Sequence, residues 1–341
     1  MHRLGPRQFI GRVVATALCA VSTLAAAHDR GPYSLTGHAR LGFSITSNTY
    51  DAANHRLYAS TRDGIYVVDT RAAKVVGQLG RISGAGSLAY SAKHHELYLL
   101  SLHEDLMRVI DTETQKVVRS FDAPAWFNVF LDTTREELYY LRADTKAVRV
   151  ADRVDGHTIK TFNLDGHPSF VLPDPARHRI LVRLADHDVI QIIDTTERSV
   201  TVSWPLAADG QSSMATDDTG LRVFVSSGKN LKMLDGTTGK EMSRISLGDM
   251  ARSIVYDPET QLVAALWSQN YIRIAKVGGL GLETVQNLDA RAVVQRLFLD
   301  PSSHDLLAVA TIAEKDVMGI NANTAPEAGL RTSSLLTLQY K

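Results

Sequence analysis

Basic and aromatic residues recur between the apolar segments of this 341-residue chain, and their types suit the binding of an anion. A guanidinium group donates paired hydrogen bonds to a carboxylate or phosphate, and a tryptophan ring offers a flat face for stacking. The candidates for such a site are Arg40, Arg81, Trp126, Arg142, His167, Arg183, Arg252, Trp267 and Arg291. They lie far apart along the chain, so they form one site only if the fold brings their segments together.

Other kinds of chemistry find little support in the sequence. The single cysteine, Cys19, lies in the amino-terminal apolar segment, so a chain without that segment has no disulfide, thiolate metal site or cysteine nucleophile. The histidines are scattered, and no pair has ligand spacing on one strand. Neither a Gly-x-Ser-x-Gly elbow nor a phosphate-binding glycine loop occurs. We therefore predict no metal site and no bound cofactor.

A repeat of 40 to 43 residues supplies the elements that must position the candidates. Each unit opens with a short β-rich run, at Leu57, Leu97, Leu138, Ile180, Val223, Val263 and Leu306. About six residues earlier stands a turn residue, namely Asp51, Ser91, Asp132, Asp174, Asp217, Asp257 or Asp300. Five units carry a second aspartate after the run, at Asp69, Asp111, Asp152, Asp194 and Asp235. Because such a carboxylate accepts backbone amides two residues on and closes a tight turn, we predict structural roles for these acids.

Each unit contains four short strand-like runs and no run of helical periodicity. Seven such units predict an all-β fold, a seven-bladed β-propeller with four-stranded antiparallel blades, over residues 28–341 as a single domain. We expect Tyr33 to Leu41 and Leu335 to Tyr340 to be neighbours in the seventh blade, so that no strand edge stays open.

The predicted propeller would gather the candidate residues on one face. The loops between successive blades and the loops between the second and third strands of each blade meet there. Arg142 and Arg183 occupy similar places in adjacent units but are offset by one residue. One of the two is therefore expected to face the interior of its blade.

The first 27 residues have the pattern of a cleavable secretory signal. Three arginines precede the apolar stretch Val13 to Leu24, which is too short to span a bilayer and is followed by three alanines. We expect cleavage after Ala27, a periplasmic location and no membrane span in the mature protein. Cleavage removes three of the 37 basic residues and none of the 37 acidic ones, which gives a net charge near −3. This balance argues against nucleic acid as a partner.

The repeat resembles that of the YVTN-type propeller proteins of bacterial exported compartments. One unit carries Leu97-Tyr98, then Val109-Ile110-Asp111-Thr112, then Lys116-Val117-Val118, in the order of that repeat. The last two units depart from it: Ala275-Lys276 replaces Asp-Thr, and the segment from Ile312 to Thr332 is long and rich in Ala, Asn and Pro. The resemblance implies the fold more strongly than an activity.

Two functions remain open at this stage. The first is an exported ligand-binding or protein-interaction module, whose partner is a small anionic molecule or another envelope protein. The alternative, implied by relatives of the resembling family, is a subunit of a periplasmic oxidoreductase of the quinoprotein amine dehydrogenase type, or a lactonase-like enzyme. The residues themselves name no reaction.

Overall fold

The computed structural model describes residues 31–79, 82, 86–101, 104–123, 128–142, 144–206, 213–217, 219–279, 281–312 and 332–341. These residues form 28 strands and one 3-10 turn, Pro175–Arg177, and within these ranges there is no α-helix. The strands make seven four-stranded antiparallel sheets. The chain is a seven-bladed β-propeller, as the repeat predicts. The expected signal segment, residues 1–27, lies outside the described residues, as do Arg81 and Trp126.

The blades follow one another along the chain, and each runs from an inner strand at the propeller axis to an outer strand. Blade 1 contains β2 (Ser47–Asp51), β3 (Arg56–Thr61), β4 (Gly64–Asp69) and β5 (Lys74–Leu79). Blade 2 contains β6 (Leu88–Ser91), β7 (Glu96–Leu100), β8 (Leu106–Asp111) and β9 (Lys116–Asp122). Blade 3 contains β10 (Asn128–Asp132), β11 (Glu137–Leu141), β12 (Ala147–Asp152) and β13 (Thr158–Asn163). Blade 4 contains β14 (Pro168–Asp174), β15 (Arg179–Leu184), β16 (Val189–Asp194) and β17 (Ser199–Pro205).

The remaining three blades complete the circuit. Blade 5 contains β18 (Met214–Thr216), β19 (Arg222–Ser227), β20 (Asn230–Asp235) and β21 (Glu241–Ser246). Blade 6 contains β22 (Ala251–Asp257), β23 (Leu262–Trp267), β24 (Tyr271–Gly278) and β25 (Gly281–Asp289). Blade 7 contains β26 (Val293–Asp300), β27 (Asp305–Ile312), β28 (Thr332–Tyr340) and, as its outer strand, β1 (Tyr33–Arg40). Among the described residues, no helix has the length and apolar character needed to cross a bilayer.

The predicted aspartate turns are present. Asp111, Asp152, Asp194 and Asp235 each accept hydrogen bonds from the backbone amides two and three residues on, at distances between 2.6 and 3.3 Å. Blade 6 has Ala275-Lys276 instead, and its β24–β25 hairpin stays paired as far as Gly278 and Gly281. The pairing of β24 with β25 therefore continues past the position at which the turn aspartate ends the third strand of other blades.

The hydrophobic core lies between blades. The buried apolar residues form seven clusters, and each cluster joins side chains of two neighbouring sheets. The cluster between blades 7 and 1, for example, contains Leu307 and Leu335 from one sheet and Leu57 from the next. Because a single sheet buries its faces only against its neighbours, the blades stabilise one another around the ring.

The ring closes within blade 7. Strand β28 pairs with β27 on one side and with β1 on the other, so the two ends of the described chain meet in one sheet. Leu335, Leu336 and Leu338 of β28 are almost fully buried. The predicted neighbourhood of Tyr33 to Leu41 and Leu335 to Tyr340 is confirmed.

A buried carboxylate links blade 7 to blade 1 at the end of β26. Asp300 accepts hydrogen bonds from the hydroxyl of Tyr50 at 3.2 Å and from the amide of Ser302 at 3.0 Å, and it lies 2.8 Å from Nδ1 of His55. Burial raises the pKa of Asp300, but the hydrogen bonds from Ser302 and His55 outweigh it, so the pKa lies below its ordinary value. The charged form is therefore the one that the folded protein stabilises.

Deletion of Leu335–Lys341 should abolish cooperative folding. It removes three buried leucines, each of which contributes on the order of 2–5 kcal/mol, and it leaves β1 without its partner strand. Thermal melting by circular dichroism and gel filtration would show a broad transition or aggregation. As a control, Gln339→Ala in the same strand changes an exposed side chain and should shift the unfolding free energy by less than about 0.5 kcal/mol. A truncated protein with the wild-type midpoint would contradict this account of closure.

Asp300→Asn should reduce the acid sensitivity of the fold. A carboxyl group whose pKa is lower in the folded than in the unfolded chain stabilises the fold fully above about pH 4 and loses that contribution as pH falls through the folded pKa. Between pH 5 and pH 2, wild-type urea midpoints should therefore fall more steeply than those of the variant. The exposed Asp122→Asn serves as the matched control and should keep the wild-type slope. Equal slopes for all three proteins would refute the role of Asp300.

Candidate functional site

The inner strands of the seven blades enclose a channel along the propeller axis. The channel contains a cavity of about 630 Å³, and its walls carry residues from all seven inner strands or the residues just before them. Equivalent positions of each repeat line the channel, and they include consecutive residues such as Asn128, Val129 and Phe130, because the inner strand is the edge of its sheet nearest the axis. The chemistry of the channel is thus determined by these positions.

One set of channel-facing positions is mainly polar. Four residues before the Asp or Ser at the end of each inner strand, or directly after it in blade 5, stand Ser47, Ser87, Asn128, Phe170, Ser213, Ser253 and Arg296. All seven line the cavity. We call the polar members of this set, together with Ser169, Arg252 and Gln295, the polar layer. The layer lies at the start of the inner strands, on the face where the loops between blades arrive.

A second set, two residues further along each strand, is apolar. It consists of Thr49, Ala89, Phe130, Leu172, Ala215, Val255 and Phe298, and all of these except Ala215 line the cavity. We call this set the apolar belt. Since a strand rises about 3.3 Å per residue, the belt lies roughly 7 Å deeper in the channel than the polar layer.

Three β-bulges enrich the polar layer. In blades 4, 6 and 7 the register between the inner and second strands shifts by one residue, and the additional residues are Ser169, Arg252 and Gln295. All three line the cavity. A bulge re-aims a side chain without disturbing the rest of the strand, and bulges are over-represented beside functional sites. The bulges thus add one cation and two neutral polar groups to the channel mouth.

Arg296 places a second cation inside the channel. Its Nη1 donates to the backbone carbonyl of Asn48 in blade 1 at 3.4 Å, and its guanidinium carbon lies 5.2 Å from the ring centre of Phe298 in the belt. The side chain is accessible from the channel, yet the walls deprive it of water, and this desolvation lowers the pKa of Arg296. A cation in such surroundings gains from a nearby anion more than a cation on the open surface does.

Arg252 lies at the mouth, between the channel and a second cavity. That cavity, of about 660 Å³, lies between blades 6, 7 and 1 and is also lined by Gln269, Gln295, Thr311 and Ser333. Arg252 lines both spaces and is exposed. No Asp or Glu is among the described residues that line either cavity. The described lining of the mouth therefore carries positive charge, although the whole chain is neutral.

The serines of the polar layer also join neighbouring blades. Ser87 Oγ accepts from the amide of Val129, Ser213 Oγ from Ile254 and Ser253 Oγ from Leu297, at distances from 3.0 to 3.2 Å. In each of these bonds the serine oxygen is the acceptor. A hydroxyl group has one proton to donate in addition, so these serines remain possible donors to a ligand oxygen.

Several residues predicted from sequence are engaged in local contacts. Arg142 Nε donates to Asp144 at 2.7 Å, and this pair lowers the pKa of the aspartate. His167 Nδ1 lies 2.9 Å from Asp186, and that hydrogen bond lowers the pKa of Asp186 to about 2. Both pairs lie at the loop face rather than in the channel.

Arg183 is the arginine that faces the interior of its blade. It is 1% exposed, and its Nη1 donates to the carbonyls of His187 at 2.8 Å and Val189 at 3.1 Å. It therefore supports the turn between β15 and β16. The expectation that either Arg142 or Arg183 points inward is confirmed.

The remaining candidates differ in their distance from the channel. Arg40 is exposed on β1, the outer strand of blade 7, and Arg291 occupies a left-handed turn position with φ of 53° before β26. Trp267 ends β23, where it stacks on Tyr271 with ring centres 5.3 Å apart, and Arg273 lies 5.4 Å from its ring centre. Among the described candidates, Arg252 alone lines the cavities.

Sequence reasoning missed Arg296 and Gln295. The signal for Arg296 was available in the repeat itself, because this residue stands four residues before Asp300, where other units carry Ser, Asn or Phe. Gln295 and Arg252 could not be found in this way, since a bulge inserts them between positions that the repeat aligns.

One group of possible metal ligands lies away from the channel. Asp152, Asp155 and His157 place ligand atoms within 4.8 Å of one another in the turn between β12 and β13. Asp155 and His157 are exposed, and Asp155 accepts from both the backbone amide and the ring of His157. These hydrogen bonds stabilise the turn between β12 and β13, which explains why the three side chains lie close together.

Comparison with known proteins agrees with the fold. No family model matches the chain. A stretch of 134 residues is 23% identical to the uncharacterized protein YncE of Salmonella typhimurium and spans 38% of this chain and 38% of that protein. The YncE of Salmonella typhi matches equally well. The match therefore spans well under half the length of these curated relatives.

Solved structures with the same architecture cover nearly the whole chain. The β-propeller domain of Cps50 (Swd1) from Myceliophteria thermophila has a TM-score of 0.68 and 14% identity, and the comparison covers 91% of this chain and 100% of that domain. A chain of the mitotic checkpoint complex has a TM-score of 0.71 and 13% identity, with 99% of both chains covered. At these identities the likeness shows the fold alone, and the binding chemistry must be argued from this chain's own residues.

Proposed function

We propose that this propeller is an exported binding module of the periplasm that takes a small anionic ligand at the mouth of its channel. The observation that carries the proposal is the pair Arg252 and Arg296, which open into a cavity whose described lining contains no carboxylate. The secretory pattern of residues 1–27 supports export, and the partial likeness to YncE is in keeping with a YVTN-type repeat.

The physical reason is electrostatic. Two cations near one cavity repel each other, and an anion between them relieves that repulsion while forming charged hydrogen bonds. The hydroxyl and amide groups of the polar layer, such as Ser253 and Gln295, are further hydrogen-bonding groups for the anion. Arg142 and Arg183 are weaker candidates, because Arg142 is already paired with Asp144 and the buried Arg183 donates to backbone carbonyls.

The double variant Arg252→Ala/Arg296→Ala should weaken the binding of inorganic phosphate roughly 100-fold or more, because each charged hydrogen bond contributes about 1.5–3 kcal/mol. Isothermal titration at low ionic strength measures this, and added salt should weaken wild-type binding. The matched control is Arg40→Ala/Arg142→Ala, which removes the same charge from the exposed β1 strand and the loop face.

Thermal melting of both double variants separates binding from folding, since both should retain a cooperative transition. The proposal fails if the two double variants bind phosphate equally well, or if binding by the wild-type protein is indifferent to salt. Native mass spectrometry of protein taken from the cell envelope gives an independent reading. A bound envelope protein in place of a small anion would favour the interaction function instead.

A further inference from the structure

We infer that the anion is the headgroup of an amphipathic organic acid whose apolar body lies in the apolar belt of the channel. This inference rests on the function proposed above and adds the class of ligand. Its basis is the layered arrangement of the wall, in which a positive polar layer and an apolar belt follow one another at a separation of two residues per strand.

The belt offers apolar contact on opposite sides of the channel. Phe130 and Leu172 come from blades 3 and 4, whereas Val255 and Phe298 come from blades 6 and 7, and all four line the cavity. Water in contact with this surface is displaced favourably by an apolar group, in proportion to the area covered. An inorganic anion held by the arginines would leave the belt uncovered.

Arg296 connects the two layers. Its guanidinium group lies over the ring of Phe298, so a headgroup bound to Arg296 has apolar surface directly beside it. The apolar body of a fitting ligand therefore begins within a few bonds of its charged group. An acid group on a short linker from an aromatic ring has this shape, and the cavity of about 630 Å³ is of the size that takes small molecules.

The belt contains one polar residue, Thr49. Threonine and valine have nearly the same shape, so replacing one by the other tests whether the apolar body of the ligand contacts the belt. Thr49 of blade 1 and Val255 of blade 6 occupy the same position in their repeats, and both line the cavity. Each is half-buried, so exchanging a methyl for a hydroxyl alters the polarity of the wall with little change in its volume. Neither residue belongs to the polar layer that holds the anion.

The test compares three probes by calorimetry: 3-phenylpropionate, acetate and the neutral 3-phenylpropionamide. The acid with the aromatic body should bind at least roughly tenfold more tightly than either other probe, because acetate lacks the apolar area and the amide lacks the charge. Val255→Thr should weaken the binding of 3-phenylpropionate about threefold or more, and Thr49→Val should strengthen it. Acetate and inorganic phosphate should bind both variants as they bind the wild type.

The outcomes separate this inference from the proposed function. If phosphate and acetate bind through Arg252 and Arg296 as tightly as 3-phenylpropionate, and the exchange at Thr49 and Val255 has no effect, the inference is wrong and the anion site stands. If no anion binding depends on the two arginines, both are wrong. Should the amide bind as well as the acid, the channel is an apolar site and the anion is not its ligand.

Discussion

The pairing of β28 between β27 and β1 is the interaction on which the rest of the structure depends. Seven sheets in a row leave one apolar face of the first sheet and one of the last uncovered until these two sheets pack together. Here the last sheet takes its outer strand, β1, from the opposite end of the described chain. The closure also brings blade 7 beside blade 1, which is where Arg296 reaches the carbonyl of Asn48. Arg296 therefore makes this contact in the channel only when the ring is closed.

The inner strands serve packing and chemistry at the same positions. Small hydroxyl residues such as Ser87, Ser213 and Ser253 let neighbouring inner strands approach closely, and their oxygen atoms accept amide protons from the next blade. The same side chains form the wall of the channel. In blade 7, Arg296 occupies this position and joins the next blade differently, by donating to the carbonyl of Asn48.

The repeat predicted the fold well because the strand-like runs, the turn residues and the two terminal segments all favour the same architecture. The spacing of Asp51 to Asp300 and the turn aspartates from Asp69 to Asp235 recur in the structure as hydrogen-bonded turns, and the terminal strands pair as expected. The site was predicted less well. Basic residues were visible in the sequence, but the pairing of Arg142 with Asp144, the contact of His167 with Asp186 and the burial of Arg183 depend on side-chain positions that spacing does not specify. Arg252 was predicted as a basic loop residue, but a bulge hid Gln295 from the repeat alignment because it adds a residue to the count.

Among the described residues, the acidic groups lie where they cannot form ion pairs with Arg252 and Arg296. Loop arginines such as Arg142 lie in water beside loop aspartates, where pairing costs little and contributes little. The acids of the inner strands, in contrast, stand at the far end of the channel wall, where Asp300 and Asp257 are held by turn amides and by the histidines of neighbouring units. They cannot serve Arg252 and Arg296 without opening those turns. The described lining of the channel mouth therefore carries the positive charge of Arg252 and Arg296, which are both exposed, and the proposed ligand, with a negative group and an apolar body, would contact both layers of the wall at once.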